Sequence, residues 1–256
     1  MKTKTILTPY FLDTLLPGLE ELKEWDWTLN RKKLPRTSTF ERMSIIHAAL
    51  AAVVEEISAG GDLPVSIAGD CCTAIAMLAG LRRAAKNPVL IWFDAHGDFN
   101  TRETSPSGFL GGMPLAMLVG RGEQALLEAL DLAPIEEDRV ILTDGRDLDP
   151  GEMELVDRSS ITHLRDPMDL VEYSFSEHSM WIHFDTDILD PEDVPSQNYP
   201  APGGIRKEAL QEIFQYLAGT GNICAISLSS WAPDLPGAEI SKTVSLELLE
   251  ALKKTG

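Results

Sequence analysis

The sequence predicts an α/β fold built around a mostly parallel β-sheet. Short runs of β-branched, aliphatic and aromatic residues alternate with stretches whose apolar residues recur at helical spacing, which is typical of βαβ units. No repeat with a period of about 20 to 50 residues is visible. No Pro-, Ser- or Gly-rich linker divides the chain. We therefore expect one domain over residues 1–256.

The expected elements alternate along the chain. Strands are predicted where apolar runs rich in β-branched or aromatic residues occur, at 65–67, 89–93, 139–143, 179–184 and 223–228. Helices are predicted where the helical pattern persists between those runs, at 44–59, 73–86, 113–119, 123–130, 151–157, 206–218 and 246–254. Residues 190–204 are rich in Pro, Asp and Gly and have no period, so we expect an ordered surface loop near the strand ends.

Composition excludes several classes of function. The chain has 22 Lys and Arg against 40 Asp and Glu, a formal charge of −18, which disfavours binding to nucleic acid or to anionic lipid. No window of about 18 uncharged apolar residues exists, and the N-terminal segment lacks the apolar core of a secretory signal. Three cysteines form no disulfide framework. We therefore expect a cytoplasmic protein with no membrane or nucleic-acid partner.

Potential metal ligands follow the strand predicted at 89–93. Asp94, His96 and Asp98 occupy every second position, which in extended backbone would place them on one face. The carboxyl end of a strand is also where open α/β folds carry their sites. Taken alone, such a motif is equally compatible with a solvated loop. The residues at the other strand ends help to decide between a metal site and a solvated loop.

Two further strand ends add ligand types. Asp185 and Asp187 follow the strand at 179–184, and Cys71 and Cys72 follow the strand at 65–67. Carboxylates gathered at one sheet edge would repel one another unless cations compensated their charge, and two divalent ions that share bridging carboxylates are the simplest solution. A lone cysteine is more often a small buried apolar residue, but beside these clusters a thiolate ligand is the better hypothesis.

These motifs resemble those of the ureohydrolase (arginase and agmatinase) family. The matching segments are Ala68-Gly69-Asp70-Cys71, Asp94-Ala95-His96-Gly97-Asp98 and His183-Phe184-Asp185-Thr186-Asp187-Ile188-Leu189-Asp190-Pro191, and the resemblance extends over about residues 60–250. It implies a three-layer α/β/α fold with two Mn²⁺ ions bridged by hydroxide. It also implies that Asp94 and Asp185 bridge both ions. Cys71 and Asp98 would complete the coordination of the first ion, and His96 and Asp187 that of the second.

The resemblance also implies a small amino-acid substrate. Asn100 and Ser107 look like the loop residues that bind the α-carboxylate in the arginase branch, and Asp149 looks like the residue that receives the α-ammonium. This favours an α-amino acid over agmatine, which lacks the carboxylate. Outside this context, the same three residues would be assigned to turns or helix caps.

Three positions depart from the arginase pattern. Cys71 replaces a histidine ligand, Gly111 aligns with the histidine that shuttles protons, and Ser230 aligns with the glutamate that binds guanidinium. Asp234 or Glu239 are alternatives for that last role. Four carboxylates balance two divalent ions, so a thiolate brings the cluster to about −1 and makes a bound water less acidic. Weaker activation favours a less basic substrate than arginine, such as an N-hydroxylated guanidine.

The departures are similar to a branch of the family that hydrolyses Nω-hydroxy-L-arginine to hydroxyurea and L-ornithine in D-cycloserine biosynthesis. We expect a dinuclear manganese amidinohydrolase in which Asp98 orients the attacking hydroxide. The alternatives are an ordinary arginase, another amidinohydrolase, or an inactive binding protein with this fold. A thiolate would also suit zinc. The sequence does not indicate the oligomeric state.

His183 has two interpretations. It precedes Asp185 by two residues, where the family more often has serine, and so shares its strand face. It could hydrogen-bond a ligand carboxylate, or it could replace the missing proton donor for the leaving amine.

Overall fold

An eight-stranded sheet forms the centre of the protein, in a computed structural model that describes residues 1–175 and 178–253. The strands in the described residues are β1 Thr3–Thr8, β2 Tyr10–Phe11, β3 Thr14–Leu15, β4 Thr28–Leu29, β5 Leu63–Ala68, β6 Val89–Asp94, β7 Val140–Asp144, β8 Thr162–Leu164, β9 Met180–Asp185 and β10 Ile223–Ser229. The large sheet has the order β4-β1-β5-β10-β9-β6-β7-β8, and every neighbouring pair is parallel. Strands β2 and β3 form a separate antiparallel hairpin.

Helices connect the strands. The α-helices in the described residues are α1 Pro17–Glu20, α2 Thr39–Ala59, α3 Ala74–Arg83, α4 Pro114–Leu118, α5 Ala125–Ala129, α6 Pro150–Asp157, α7 Lys207–Gly219 and α8 Ala238–Lys253. Short 3₁₀ helices lie at Cys71–Thr73, Leu110–Gly112, Glu137–Arg139, Pro167–Glu172 and Thr186–Ile188.

The fold has three layers because alternate strand residues point to opposite faces of the sheet. Leu90 and Trp92 of β6 pack into one apolar cluster with α2, α3, α4 and α5. Ile91 and Phe93 of the same strand pack into a second cluster with α7 and α8. Both faces of the central strands are therefore buried. This confirms the predicted three-layer α/β/α architecture with a mostly parallel sheet.

The predicted strands all form, with ends within a few residues of those expected, but the prediction missed β1, the hairpin β2–β3, β4 and β8. In β1 only Ile6 and Leu7 are apolar side chains. Its pairing with β5 along the whole strand, rather than a long apolar run, holds it in the sheet. Tertiary pairing thus overrides a weak local signal.

The helix ends differ more. Helix α2 begins at Thr39 rather than 44, and α8 begins at Ala238 rather than 246. The predicted end of the last helix, residue 254, lies outside the described residues. The loop at 190–204 is ordered, as predicted, but it is not confined to the surface, because Val194 and Ser196 are fully buried.

Among residues 1–175 and 178–253, no helix combines the length and the apolar character needed to cross a bilayer.

Candidate active site

The candidate site lies where four neighbouring parallel strands end. Asp94 is the last residue of β6, Asp185 the last of β9 and Ser229 the last of β10, while Cys71 begins the 3₁₀ turn after β5. These strands are adjacent in the sheet, so their carboxyl ends meet at one edge. A cavity of about 500 Å³ opens at this edge.

Two groups of possible metal ligands form in this cavity. One ligand atom each from Cys71, Asp94 and Asp185 lies within 4.8 Å of the other two, and the same is true of Asp94, His96 and Asp187. The thiol of Cys71 is 3.1 Å from Asp185 Oδ2, and His96 Nδ1 is 3.1 Å from Asp187 Oδ2. Asp94 belongs to both groups. Their roles as ligands stay predictions, but five of the six predicted ligands share these two groups.

Asp98, the sixth predicted ligand, lines the same cavity outside both groups. The extended alternation expected from Asp94 to Asp98 does not form, because β6 ends at Asp94 and Asp98 adopts a left-handed φ of 49°. The carbonyl of Asp98 accepts hydrogen bonds from the backbone N–H groups of Leu115 and Ala116, at the start of α4. A strained backbone conformation, stabilised by a helix, therefore aims Asp98 into the cavity.

Burial disfavours negative charge throughout the site. It raises the pKa of Asp185 to about 7 and that of Asp187 to about 6, and burial together with the neighbouring Asp94 raises the pKa of Asp98 well above its ordinary value. Burial, reinforced by Asp185, likewise raises the pKa of the Cys71 thiol. Burial alone would lower the pKa of His96, but hydrogen bonds to Asp187 and Asp94 raise it to about 12.

This donor set fits divalent cations. Burial and mutual repulsion raise the pKa of these carboxylates, and within residues 1–175 and 178–253 the imidazole of His96 is the cationic group that acts on them. Carboxylate, imidazole and thiolate ligands suit Mn²⁺, Zn²⁺ and related ions. Each of the two groups brings three such donors together. Cys72 is different, because its sulfur lies 3.8 Å from the carbonyl of Leu110 and its side chain is buried in the core.

The three predicted substrate residues line the same cavity. Asn100 Nδ2 donates to Asp149 Oδ2 over 3.0 Å, while Thr104 donates its hydroxyl to Asn100 Oδ1. Asp149 is also the N-cap residue of α6, so it has the structural role that sequence reasoning offered as the alternative. Ser107 is exposed on the loop that precedes Phe109. The structure thus brings the three residues to one cavity, and their contact with a substrate stays a prediction.

Two residues that sequence reasoning did not single out support the site. Glu152 accepts hydrogen bonds from the backbone N–H groups of Phe99 and Asp149, and burial raises its pKa to about 7. Arg146 pairs with Asp144 and donates to the backbone carbonyl of Asp187 over 2.8 Å. The spacing from Asp149 to Glu152 is that of a capping box and could have identified Glu152. No local pattern signals the role of Arg146.

The departures from the arginase pattern have visible consequences. A Cβ at Gly111 would lie 2.3 Å from Cε1 of Phe109, so the Phe109 ring fills the space of a side chain at 111. Ser230 has a left-handed φ of 67° and lies beside Asp185, where its hydroxyl lowers the pKa of the carboxyl against the larger effect of burial. The suggestion that Asp234 or Glu239 replaces the missing glutamate is wrong, since both line a separate, smaller cavity.

Aromatic side chains from three separate segments line the cavity on another side. Phe109 stacks with Phe11 of the hairpin at a centroid distance of 6.1 Å and packs on Tyr199 at 5.4 Å. The hairpin is fixed to the site by Asp70, which accepts a hydrogen bond from the backbone N–H of Leu12 over 2.7 Å. The turn that carries Cys71 therefore also positions part of this aromatic wall.

His183 matches neither of its two interpretations. It is fully buried, it does not line the cavity, and its ring nitrogens contact the hydroxyls of Ser227 and Ser229 rather than a carboxylate. Burial lowers its pKa to about 3. It is therefore not placed to give a proton directly to a leaving group.

A three-layer fold with paired ligand groups at the ends of adjacent parallel strands defines the class of ureohydrolases. The chain belongs to the arginase family, whose model matches residues 23–252. It is 30% identical over 244 residues to arginase from Bacillus subtilis (strain 168), covering 89% of this chain and 82% of that protein. A crystal structure of Bacillus subtilis arginase matches with a TM-score of 0.84 and 27% identity, over 98% of each chain.

A second kind of relative is N(omega)-hydroxy-L-arginine amidinohydrolase from Streptomyces lavendulae. It is 30% identical over 171 residues, which cover 66% of this chain and 60% of that protein. The chain is therefore an arginase-family hydrolase with relatives that act on two different guanidine compounds.

Proposed function

We propose that this hydrolase cleaves the hydroxyguanidine group of Nω-hydroxy-L-arginine to give hydroxyurea and L-ornithine. The observation that carries the proposal is the composition of the cavity. It has Gly111 covered by Phe109 and Ser230 beside Asp185, so neither position offers an imidazole or a carboxylate. The similarity to the amidinohydrolase of Streptomyces lavendulae supports the same substrate.

The two ligand groups, together with Asp98, would hold two divalent cations, which we propose to be Mn²⁺. Cys71 and Asp98 would belong to the first ion and His96 and Asp187 to the second, with Asp94 and Asp185 shared. When bound, the cations would neutralise the buried carboxylates and activate water for attack on the substrate. Asp98 would orient that water from its helix-supported position at the start of α4.

The α-carboxylate and α-ammonium of the substrate would bind to residues of the same cavity that belong to neither ligand group. An α-amino acid carries both a carboxylate and an ammonium group. Asn100 and Ser107 would donate hydrogen bonds to the carboxylate, and Asp149 would pair with the ammonium. The hydrogen bond between Asn100 and Asp149 fixes the two receptors relative to each other. A rigid pair of receptors sets the orientation of the whole substrate before reaction.

A hydroxyguanidine can react without the two groups that this cavity lacks. A guanidinium is effectively always protonated, and its amine needs a proton in order to leave. The electron-withdrawing oxygen of a hydroxyguanidine lowers its basicity, so a neutral and more electrophilic form is accessible near neutral pH. Such a substrate needs neither a carboxylate at position 230 nor a proton shuttle at position 111.

We also propose a pathway and a cellular compartment for this reaction. We place the reaction in D-cycloserine biosynthesis, for which hydroxyurea would be the product supplied, and in the cytoplasm. Three free cysteines suit a reducing compartment. An amino-acid substrate fits the acidic cavity better than a nucleic-acid or membrane partner does.

The test is turnover of four compounds by the manganese-loaded protein: hydroxyarginine, arginine, hydroxyagmatine and agmatine. We expect hydroxyarginine to be preferred over arginine, because the cavity has no imidazole at position 111 and no carboxylate at position 230. We also expect it to be preferred over hydroxyagmatine, which lacks the α-carboxylate. Ser107→Ala, which removes a proposed donor to the carboxylate, should raise KM for hydroxyarginine more than for hydroxyagmatine. Asp149→Ala should raise KM for both compounds, because both carry the ammonium group. Equal turnover of the two hydroxyguanidines would contradict the amino-acid pocket.

Ordinary arginase activity is the second candidate. The similarity to arginase from Bacillus subtilis in both sequence and fold favours it. A higher kcat/KM for arginine than for hydroxyarginine would establish it in place of the proposed function. Metal binding without turnover of any of the four compounds would instead point to a binding protein.

A further inference from the structure

A chain of hydrogen-bonded side chains runs beneath the cavity and ends at Cys71. The indole N–H of Trp181 donates to Ser227 Oγ over 2.9 Å, and Ser227 Oγ is 2.8 Å from His183 Nδ1. His183 Nε2 is 3.4 Å from Ser229 Oγ, which lies 2.9 Å from the sulfur of Cys71. All five side chains are at most 4% exposed. None of the four that precede Cys71 lines the cavity.

These contacts are compatible with one continuous direction, in which Ser229 donates to the sulfur of Cys71. An indole N–H can only donate, so Ser227 accepts from Trp181 and its own hydroxyl hydrogen is free to donate to Nδ1 of His183. A neutral imidazole that accepts at Nδ1 carries its proton at Nε2, which then donates to Ser229. The hydroxyl of Ser229 is left to donate to the sulfur of Cys71.

The surrounding structure fixes the geometry of this chain. The His183 ring stacks on Trp92 with a centroid distance of 3.8 Å and an interplanar angle of 25°. Ser227 is paired in register with His183, and Ser229 with Asp185, between the adjacent central strands β10 and β9. Side chains on two hydrogen-bonded central strands have little freedom to move apart. Ser229 therefore presents its hydroxyl to Cys71 from a rigid support.

We propose that Ser229 and His183 are positioning residues that orient and stabilise the metal-binding thiolate of Cys71. A hydroxyl that donates to the sulfur partly offsets the cost of burying its negative charge, and it fixes which side of the sulfur faces the candidate metal site. The imidazole of His183 in turn fixes the orientation of the Ser229 hydroxyl. The inference rests on the ligand role of Cys71 in the proposed function, but not on the identity of the substrate.

The expected loss of metal affinity can be taken from the behaviour of other metal sites. Removal of a group that orients a metal ligand commonly costs about 10- to 100-fold in metal affinity. We expect Ser229→Ala to weaken Co²⁺ binding by that factor. Ser229→Thr, which keeps a hydroxyl, should restore most of it. His183→Phe keeps a ring against Trp92 and removes both nitrogens, so it should act in the same direction as Ser229→Ala.

The experiment is titration of the metal-free protein with Co²⁺, read by the thiolate-to-cobalt charge-transfer absorption and by the dissociation constant. The wild type should show the band, and Cys71→Ser should lose it. Ser229→Ala should shift the band as well as weaken binding, because the donor to the sulfur is gone. A merely structural role would lower affinity without moving the band.

Ser66→Ala is the matched control. Ser66 is fully buried on β5 and is paired in register with Ser227, but its hydroxyl has no hydrogen-bond partner among the described residues. It should leave both the band and the affinity unchanged. If Ser229→Ala matches this control, the positioning role is wrong.

The readouts separate this inference from the proposed function. No substrate is used, so failure to turn over hydroxyarginine would leave the cobalt result intact. A wild type without a thiolate band would overturn both the ligand role of Cys71 and this inference. If His183→Phe does not fold, the comparison of Ser229→Ala, Ser229→Thr and Ser66→Ala still decides the outcome.

Discussion

Adjacent cysteines at one turn have different surroundings. Cys71 Sγ contacts Asp185 and Ser229 at the cavity, whereas Cys72 Sγ faces the core near the carbonyl of Leu110. The 3₁₀ turn that follows β5 separates them, with the Asp70 carboxylate accepting from the Cys72 backbone N–H. One turn therefore directs one sulfur to the site and the other away from it.

This difference predicts the outcome of two serine substitutions. Cys71→Ser should lower bound manganese or activity by about 10- to 100-fold, since a hydroxyl is a poorer anionic ligand than a thiolate. Cys72→Ser should affect mainly stability, because it buries a hydroxyl in an apolar cluster. Metal analysis and turnover of both purified variants check this. The assignment fails if Cys72→Ser is the damaging change and Cys71→Ser is silent.

Gly111 and Phe109 form a coupled pair. Because a Cβ at 111 would approach the Phe109 ring to 2.3 Å, Gly111→Ala must displace that ring and so disturb its packing on Tyr199. We expect Gly111→Ala to lower kcat/KM in the wild type but to have little effect in a Phe109→Ala background, a coupling of about 1 kcal/mol or more.

Gly112→Ala is the control for this pair, since a Cβ at 112 would meet nothing within 4 Å. It should leave kcat/KM nearly unchanged. Additive effects of Gly111→Ala and Phe109→Ala would show that the ring does not mediate the loss.

At the level of elements, α2 buries an ionisable group. His47 lies on its inner face and is 1% exposed, and its Nδ1 has no hydrogen-bond partner in the described part of the chain. Burial lowers the pKa of His47 from 6.5 to about 4. Because the native state binds fewer protons than the unfolded state between these values, stability falls as the pH drops from about 6.5 toward 4.

His47→Leu should remove this loss. At pH 8 both side chains are uncharged, so the difference in the free energy of unfolding reflects packing and the burial of the unpaired imidazole nitrogen, with no contribution from charge. Between pH 6.5 and pH 4 the variant should gain on the wild type by up to about 3 kcal/mol, from about 1.4 kcal/mol for each unit of pKa shift. Urea unfolding at pH 8, 6 and 4.5 measures the difference. A constant difference across that range would contradict the assignment.

Two helices begin earlier than the sequence prediction, and only one of the two starts has a local signal in the sequence. The first turn of α2 was missed although Ser38 and Glu41 form a capping box, a signal that was present in the sequence. The first turns of α8 carry no comparable signal. They contain Ile240, Thr243 and Val244, whose β-branched side chains disfavour helix, and packing of the buried Ser241 and Ser245 holds them in place.

At the scale of the whole molecule, the site was predictable because parallel strands end at one edge. Asp94 and Asp185 terminate strands that the sequence identifies, so their convergence follows from topology alone. The position of Asp98 depends on a left-handed backbone and on α4, and the aromatic wall joins three distant segments, Phe11, Phe109 and Tyr199. No sequence window contains that information.

The excess of negative charge has a consequence for the stability of the whole protein. Burial places the pKa of Asp185 at about 7 and that of Asp187 at about 6, so above pH 7 the metal-free fold contains ionised buried carboxylates. Their native-state pKa lies above the unfolded value, so their ionisation destabilises the native state as the pH rises through about 4 to 7. A cation bound at the site would reverse that cost.

Manganese should therefore raise the melting temperature, and more at pH 8 than at pH 5.5, where protons compete for the ligands. At 100 times the dissociation constant, the stabilisation is about 2.7 kcal/mol, which corresponds to a shift on the order of 5 to 10 °C for a chain of this size. Asp94→Asn should abolish the shift, because Asp94 belongs to both ligand groups. KCl at equal ionic strength controls for screening of the net charge of −18. An equal shift with KCl, or in Asp94→Asn, would mean that the ions act on the surface rather than at this site.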